Sequence, residues 1–202
     1  MESGRFDQVV ETVKGFYSRK DPAHDLEHAL RVTAWAKKLA AEEGANSLVV
    51  ELAALLHDIG RSGAVEKTHA ESSAGLAATI LRKYQYPEEV VSAVREAIIT
   101  HSRERGYEPA TLEAKVLYDA DKLDFVGPVG IARLFAMAGV NGWTFVGENS
   151  CEEFYRGRIV HYRDYLFTES AQRHFEHLLR YMEGFWAEFK AQLAEMNWFR
   201  VN

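Results

Sequence analysis

The sequence predicts an all-α protein, and three observations support this fold class. Apolar residues recur at intervals of three and four rather than two, which is the period of amphipathic helices. Only 4 of the 202 residues are proline, so few positions would interrupt a helix. The hydrophobic fraction of 47% and the charged fraction of 27% are typical of globular proteins. A chain of this length can bury a continuous core.

Local signals predict where the helices begin and end. The first helix carries apolar residues between positions 6 and 17 and is followed by the break SRKDP. Gly44 is a natural stop for the second helix. Thr68 and Glu71 have capping-box spacing at the start of the fourth, and Pro87 suits the start of the fifth. The second to seventh helices are predicted at about 24–44, 47–58, 68–81, 87–101, 111–125 and 129–138.

The residues after the seventh helix divide into a loop and a helical tail. The stretch GVNGWTFVGENS, residues 139–150, contains three glycines. It is a candidate lid, in which Trp143 and Phe145 would cover an apolar face of a substrate, and the alternative is a packed surface loop. A long amphipathic helix from about Thr168 to Trp198 ends the tail. Three arginines that precede this helix are flanked by acidic residues and are interpreted as a solvated face: Arg156, Arg158 and Arg163.

Composition and charge exclude several classes of protein. A formal net charge of -6 and a pI near 5.8 give no general reason to bind polymeric nucleic acid or an anionic membrane. The N-terminus lacks the apolar stretch of a signal peptide. The most apolar later stretch, GPVGIARLFAMAGV, contains Arg133 and is too short to span a bilayer. The only cysteine, Cys151, cannot form an internal disulfide. We therefore expect a cytoplasmic protein, whereas the sequence leaves the oligomeric state open.

Side chains of the kind that bind metals interrupt four of the predicted helices. They are His24 and His28, His57 and Asp58, His101, and Asp121 and Asp124. Residues three or four positions apart share one face of a helix, so the spaced pairs can point into the same space. Unpaired buried charges are costly, and carboxylates beside imidazoles in a core therefore indicate a metal ion or a tight hydrogen-bonded network.

A set made of His28, His57, Asp58 and Asp121 would offer two nitrogen and two oxygen ligands. Such a mixed set suits octahedral divalent cations such as Mn, Fe, Co, Ni or Mg better than a closed structural zinc site. Open coordination positions would remain for water and for an oxygen of a substrate.

The order of these residues resembles that of a known superfamily. His28 lies in HDLEHALRV, His57 and Asp58 lie in LLHDIG, and Asp121 lies in DADKLD. This succession resembles the HD-domain metal-dependent phosphohydrolases. The stretches THAESSAG, IITHS and RDYLFTESAQRH extend the similarity over about residues 20–182 and are most similar to small stand-alone bacterial HD hydrolases.

The resemblance implies one HD-type domain over residues 1–202, with a metal-binding helical core at about 20–138 and a helical tail at about 151–202. It also implies hydrolysis of a phosphate ester or anhydride in a small phosphorylated substrate, with a nucleotide as the favoured class. The implied metal ligands are His28, His57, Asp58 and Asp121.

The resemblance implies further roles around the metal. Arg61 and Lys122 are the cations nearest in sequence to the ligands and would stabilise charge on the phosphate, and Asp58 would be catalytic as well as a ligand. Some nucleotidases of the superfamily carry an acid at the position of Arg61, so arginine there excludes a general base. Three residues are expected to bind substrate: His69, His101 and Asp124. The alternatives are a surface position for His69 and a core position for His101. Asp124 could instead be a solvated carboxylate or could contact a metal ligand.

Two questions stay open at this point. One divalent ion is favoured over two, because the motif supplies only two carboxylates to offset the charge of two dications. The alternatives to a phosphohydrolase are an HD-type di-iron oxygenase, which uses the same ligands and further histidines, and a non-catalytic nucleotide-binding HD module.

Overall fold

The computed structural model describes residues 2–17, 23–61, 68–102 and 106–196. Across these ranges the chain forms helices and no strand, so the predicted all-α class is confirmed. The helices are α1 (Glu2–Val13), α2 (Leu26–Glu43), α3 (Ser47–Leu56), α4 (His69–Lys83), α5 (Glu88–Thr100), α6 (Leu112–Leu123), α7 (Gly127–Asn141), α8 (Cys151–Phe154) and α9 (Glu169–Glu195). Between α8 and α9 lie a π-helical turn, Tyr155–Ile159, and a 3₁₀ segment, Val160–Tyr165.

Helix α3 lies inside the bundle and carries the residues that lead into the site. It packs against α2, α5 and α6, while α4 pairs with α5. Contact on several sides explains why α3 is apolar around most of its circumference rather than along one stripe. Its buried residues are Val49, Val50, Leu52, Ala53, Ala54, Leu55 and Leu56.

Capping residues fix the ends of the helices that carry the site. The Asp25 carboxylate accepts a hydrogen bond from the backbone N–H of His28 at 2.8 Å, which starts α2. Thr68 and Glu71 form the predicted capping box at the start of α4. Gly44 ends α2 in the left-handed conformation, with φ of 77°.

Three helices differ most from their predicted bounds. Helix α1 ends at Val13, before the last apolar residues of the pattern that predicted it, Phe16 and Tyr17. Helix α3 ends at Leu56, so the next residues form a turn rather than the end of the helix. Helix α7 is longer than predicted at both ends, because Pro128 suits its first turn and the left-handed Gly142 stops it only at Asn141. The break SRKDP and the predicted end of the last helix at Trp198 lie outside the described residues.

The tail is fastened to the preceding helices through Asp119 on α6. Its buried carboxylate accepts hydrogen bonds from the backbone N–H groups of Phe167 at 3.0 Å and Thr168 at 2.8 Å, and from the Thr168 hydroxyl at 2.7 Å. Burial raises the pKa of Asp119 to about 6, although these hydrogen bonds oppose the rise. The Glu43 carboxylate accepts from the N–H of Ser170 at 2.7 Å. The start of α9 is therefore held on α6 and α2.

The loop after α7 packs against aromatic side chains of the tail. The Phe145 ring lies 5.3 Å from the Phe135 ring and 6.0 Å from the Phe189 ring. The Trp143 ring lies 5.4 Å from the ring of Phe154. These contacts hold the loop on the α7 and α9 side of the bundle.

Among the described helices, none alone has the length and apolar character needed to cross a membrane. Helices α6 and α7 pass that test only as a pair, which is bent by 68° at their junction.

Candidate metal centre

A cluster of histidines and aspartates lies where the ends of five helices meet. His28 is in the first turn of α2, His69 begins α4, and Asp121 is in the last turn of α6. His57 and His101 each occupy the position that follows the last residue of a helix, α3 and α5 respectively. The turn after α3 adds Asp58 to the cluster.

Hydrogen bonds at Nδ1 set the orientation of three of these imidazoles. Nδ1 of His57 donates to the carbonyl oxygen of Ala54 at 2.6 Å, and Nδ1 of His101 donates to that of Ile98 at 2.6 Å. Nδ1 of His28 lies 2.8 Å from a carboxylate oxygen of Asp124. Because carbonyl and carboxylate oxygens only accept, the neutral rings carry the proton on Nδ1 and leave Nε2 as a lone pair. This is the orientation that a metal-binding histidine requires.

The Nε2 atoms of His28 and His57 converge on two carboxylates. Nε2 of His28 lies 3.3 Å from Oδ1 of Asp121, and Nε2 of His57 lies 3.5 Å from Oδ2 of Asp58. In the part of the chain that the structure describes, four of these buried atoms make no hydrogen bond: His28 Nε2, His57 Nε2, Asp58 Oδ1 and Asp58 Oδ2. Buried polar atoms without partners are costly. A divalent cation would satisfy all four, so the residues fit a metal.

Asp58 faces a second group of histidines with its other oxygen. Oδ1 of Asp58 lies 3.6 Å from Nε2 of His69 and 3.7 Å from Nε2 of His101, and those two nitrogens are 3.2 Å apart. Two trios of potential ligands therefore share Asp58: one with His28 and His57, and one with His69 and His101.

Burial and neighbouring charges keep most of the cluster in the state that binds cations. Burial lowers the pKa of the His57 imidazole to about 3. Burial raises the pKa of the Asp58 carboxyl, but the nearby His57, His101 and Arg61 outweigh burial and hold it well below its usual value. The pKa of Asp121 is also held well below its usual value, because Lys122 and the histidines outweigh burial.

The two cations that were expected to assist catalysis each pair with a carboxylate of the cluster. Nε of Arg61 lies 2.7 Å from Oδ2 of Asp58, and Nζ of Lys122 lies 2.6 Å from Oδ2 of Asp121. Burial lowers the pKa of Lys122, but Asp121 outweighs burial and raises it, so the amine is charged.

Asp124 does not lie where a substrate contact would require. Its carboxylate is buried behind His28 and is clamped by two guanidinium groups, Nε of Arg31 at 2.9 Å and an Nη of Arg133 at 2.7 Å. Asp124 is absent from the lining of the cavity described below. The geometry therefore favours the alternative in which Asp124 contacts a ligand residue and orients it.

A cavity of about 820 Å³ opens onto the cluster. The predicted residues that line it are Arg61, His69, His101, Asp121 and Lys122. The tail contributes further lining residues: Phe154, Gly157, Arg158, His161, Tyr162 and Tyr165. Neither Trp143 nor Phe145 is among the lining residues, because both pack on aromatic rings elsewhere, so the expected lid is not at this cavity.

Arg158 is exposed, as its interpretation as part of a solvated face predicted, but that interpretation did not predict that Arg158 also lines the cavity. Its acidic neighbours in the sequence, Glu152 and Glu153, indicated an ordinary charged surface. The π-helical turn shifts the register of the side chains by about one residue. A helical pattern read from the sequence alone could not place Arg158, because the turn has no simple sequence signal.

Comparisons with known proteins identify the family. The HD domain family matches residues 25–126, which include the whole cluster. YpgQ of Bacillus subtilis is 29% identical over 194 residues, covering 94% of this chain and 92% of YpgQ. The crystal structure of YpgQ in complex with ADP is similar with a TM-score of 0.79 and 26% identity, covering 95% of this chain and 96% of that one.

Two solved HD-superfamily hydrolases have the same fold. A predicted hydrolase from an uncultured Thermotogales bacterium is 29% identical with a TM-score of 0.71, covering 92% of this chain and 91% of its own. A hydrolase from Bacillus thuringiensis is 25% identical with a TM-score of 0.76, covering 96% and 99%. The family model matches residues 25–126, the fold is helical, and histidines and aspartates form the cluster described above. This chain therefore belongs to the HD-domain hydrolase superfamily.

Proposed function

We propose that this chain is a metal-dependent phosphohydrolase that acts on a small phosphorylated molecule, with a nucleotide as the substrate class. The observation that carries the proposal is the set of four buried atoms that make no hydrogen bond, beside two cations that face a cavity. The ADP in the crystal structure of YpgQ supports the choice of a nucleotide.

The donor set defines where a cation would be held. His28, His57, Asp58 and Asp121 are its ligands in this proposal, and the ion is one of Mn, Fe, Co, Ni or Mg. When bound, such an ion supplies Lewis acidity and lowers the pKa of a water molecule to about 7.

The remaining residues of the cluster act on the phosphate. Arg61 and Lys122 line the cavity and are charged, so each donates hydrogen bonds to oxygens of the phosphoryl group as negative charge develops there. His69 and His101 face the same space from α4 and α5 and contact the substrate phosphate in the one-ion form of the proposal. Asp124 holds His28 in the orientation that presents Nε2.

One observation favours a second candidate function. The trio of Asp58, His69 and His101 is a complete set of three ligand atoms, as a second ion would need. A two-ion site of this composition also suits an HD-type di-iron oxygenase. Metal analysis distinguishes a one-ion site from a two-ion site. About one equivalent of metal per chain supports one ion. About two equivalents in the wild-type protein and about one in His69→Ala support two ions.

The test of the function is a screen of nucleotides and other phosphoesters against the metal-free protein and the protein loaded with each candidate ion. Phosphate, pyrophosphate and nucleoside products are measured separately, with and without oxygen. We expect metal-dependent release of a phosphorylated product that persists without oxygen and is lost in His57→Ala. His177→Ala is the matched control, because His177 is exposed and does not line the cavity. Binding of nucleotides with no product under any metal would instead support a non-catalytic module.

A further inference from the structure

We infer that Arg158 determines substrate specificity by binding a second phosphate, so that the cavity favours substrates with two or more phosphates in series over monophosphates. The inference rests on the proposed phosphohydrolase function and deepens that function, because it assigns substrate recognition to a residue outside the histidine and aspartate cluster.

The first observation is the difference among the three arginines of the tail. Nε of Arg156 lies 2.9 Å from a carboxylate oxygen of Glu152, and an Nη of Arg163 lies 2.8 Å from one of Glu176. Arg158 lines the cavity, and among the residues that the structure describes no carboxylate lies within ion-pair distance of it. Arg158 is therefore the tail arginine whose charge is available to an anionic ligand.

The second observation is a path of polar contacts from the metal cluster to Arg158. Lys122 contacts Asp121 at 2.6 Å, and its Nζ lies 5.9 Å from the centre of the Tyr162 ring. Both Lys122 and Arg158 lie close enough to the Tyr162 hydroxyl to oppose the rise in its pKa that burial causes. A substrate phosphate beside the cluster would meet Lys122, whose charge Asp121 already balances. The next phosphate, further from the cluster, would meet Arg158, whose charge is unbalanced.

The third observation is the local backbone. Arg158 lies on the π-helical turn, and π-helical turns occur frequently at functional sites. Its guanidinium lies 5.5 Å from the centre of the Phe154 ring, a cation–π contact that limits where the side chain can point. The neighbouring Gly157 also lines the cavity and adds no side chain to its wall.

The chemistry of the guanidinium selects the ligand. Its planar fork donates two parallel hydrogen bonds to a phosphate, and the charge is permanent. Lysine would provide only a point charge, so Arg158→Lys should keep part of the affinity and lose the bidentate geometry.

The experiment compares ADP with AMP as probes. Calorimetry on the metal-free protein measures binding, and steady-state kinetics on the Mn-loaded protein measures KM and kcat for each nucleotide that is turned over. In Arg158→Ala we expect ADP affinity to fall about 10-fold or more, as for loss of a hydrogen bond between charged groups, while AMP affinity stays within about two-fold. Arg156→Ala is the matched control, because Glu152 keeps Lys190 as a partner at 3.1 Å and Arg156 does not line the cavity.

Each other outcome overturns a distinct statement. An equal loss of ADP and AMP affinity, or no loss in Arg158→Ala with an unchanged melting temperature, overturns the role of Arg158 and leaves the phosphohydrolase intact. If the wild-type protein binds ADP no more tightly than AMP, the role of Arg158 is likewise overturned and the phosphohydrolase proposal is not. Wild-type protein that turns over no phosphorylated compound with any metal overturns the proposed function, and this inference falls with it.

Discussion

Replacing Asp124 with alanine should weaken metal binding although Asp124 is not a ligand. The substitution removes the acceptor at 2.8 Å from Nδ1 of His28 and the shared partner of Arg31 and Arg133. The freed imidazole can rotate or move its proton to Nε2, and in either case the lone pair that would face the ion is lost. Loss of such an orienting partner typically lowers metal affinity by about 10–100-fold.

The same change should also destabilise the metal-free protein. Arg133 is 4% exposed, so it would become a buried charge that keeps only backbone carbonyl partners, whereas Arg31 is 30% exposed and can be solvated in part. Breaking a buried ion pair costs roughly 3–5 kcal/mol, and the exposure of Arg31 places the expected loss near the lower end, at about 3 kcal/mol. Asp124→Asn keeps the volume and an acceptor, so it should lose stability but retain more metal affinity than Asp124→Ala.

Calorimetric titration with Mn²⁺ and urea denaturation of the metal-free protein measure the two effects separately. The matched control is Glu27→Gln, because Glu27 also pairs with Arg31, at 3.9 Å, but its side chain is 84% exposed. It should alter neither quantity by more than about 0.5 kcal/mol. Wild-type affinity for Mn²⁺ in Asp124→Ala would refute the assignment of Asp124 as the residue that orients His28.

Four further substitutions test the cluster and the turn that follows α3. His57→Ala and Asp58→Ala should lose metal and activity but keep a native circular dichroism spectrum, because apolar residues of α3 supply the packing; activity without bound metal in either variant would contradict the ligand assignment. Arg61→Ala should retain its metal and reduce kcat by about 10²–10³-fold, and loss of the metal would show that Arg61 is misplaced. Gly60→Ala should lower the free energy of unfolding by about 1–3 kcal/mol, since an added Cβ would lie 2.4 Å from the backbone nitrogen of Ser73; an unchanged urea midpoint would show that the backbone can yield there.

Sequence alone predicted the fold and the central residues because both depend on local patterns. The capping box at Thr68 and the glycine stop at Gly44 are local devices, and the structure contains both. The histidines and aspartates of the motif come together because helix ends meet, which follows once the helices are placed. The structure brings together His28, His57, Asp58 and Asp121 as the resemblance implied.

The remaining features depend on contacts between distant parts of the chain. Two aspartates of α6 and the aspartate that follows its last residue have similar local sequence surroundings, yet Asp119 holds the tail, Asp121 faces the cluster and Asp124 lies behind His28. Only their partners distinguish them, and those partners lie on other helices. Nothing in the sequence near Asp119 indicated its contacts with residues 167 and 168.

The Asp119 contacts have a consequence for how such a protein can diversify. The histidine and aspartate cluster lies within the stretch that the HD domain family matches, residues 25–126, whereas Arg158 and the other tail residues that line the cavity lie beyond it. Asp119 on α6 accepts hydrogen bonds from the chain just before α9. A tail of different sequence that keeps these hydrogen bonds would line the same cavity without displacing the histidines and aspartates of the cluster. Substitutions confined to this one segment can then change which substrates the cavity accepts while the cluster stays unchanged. For the same reason, exchanging tails between relatives should alter substrate selectivity.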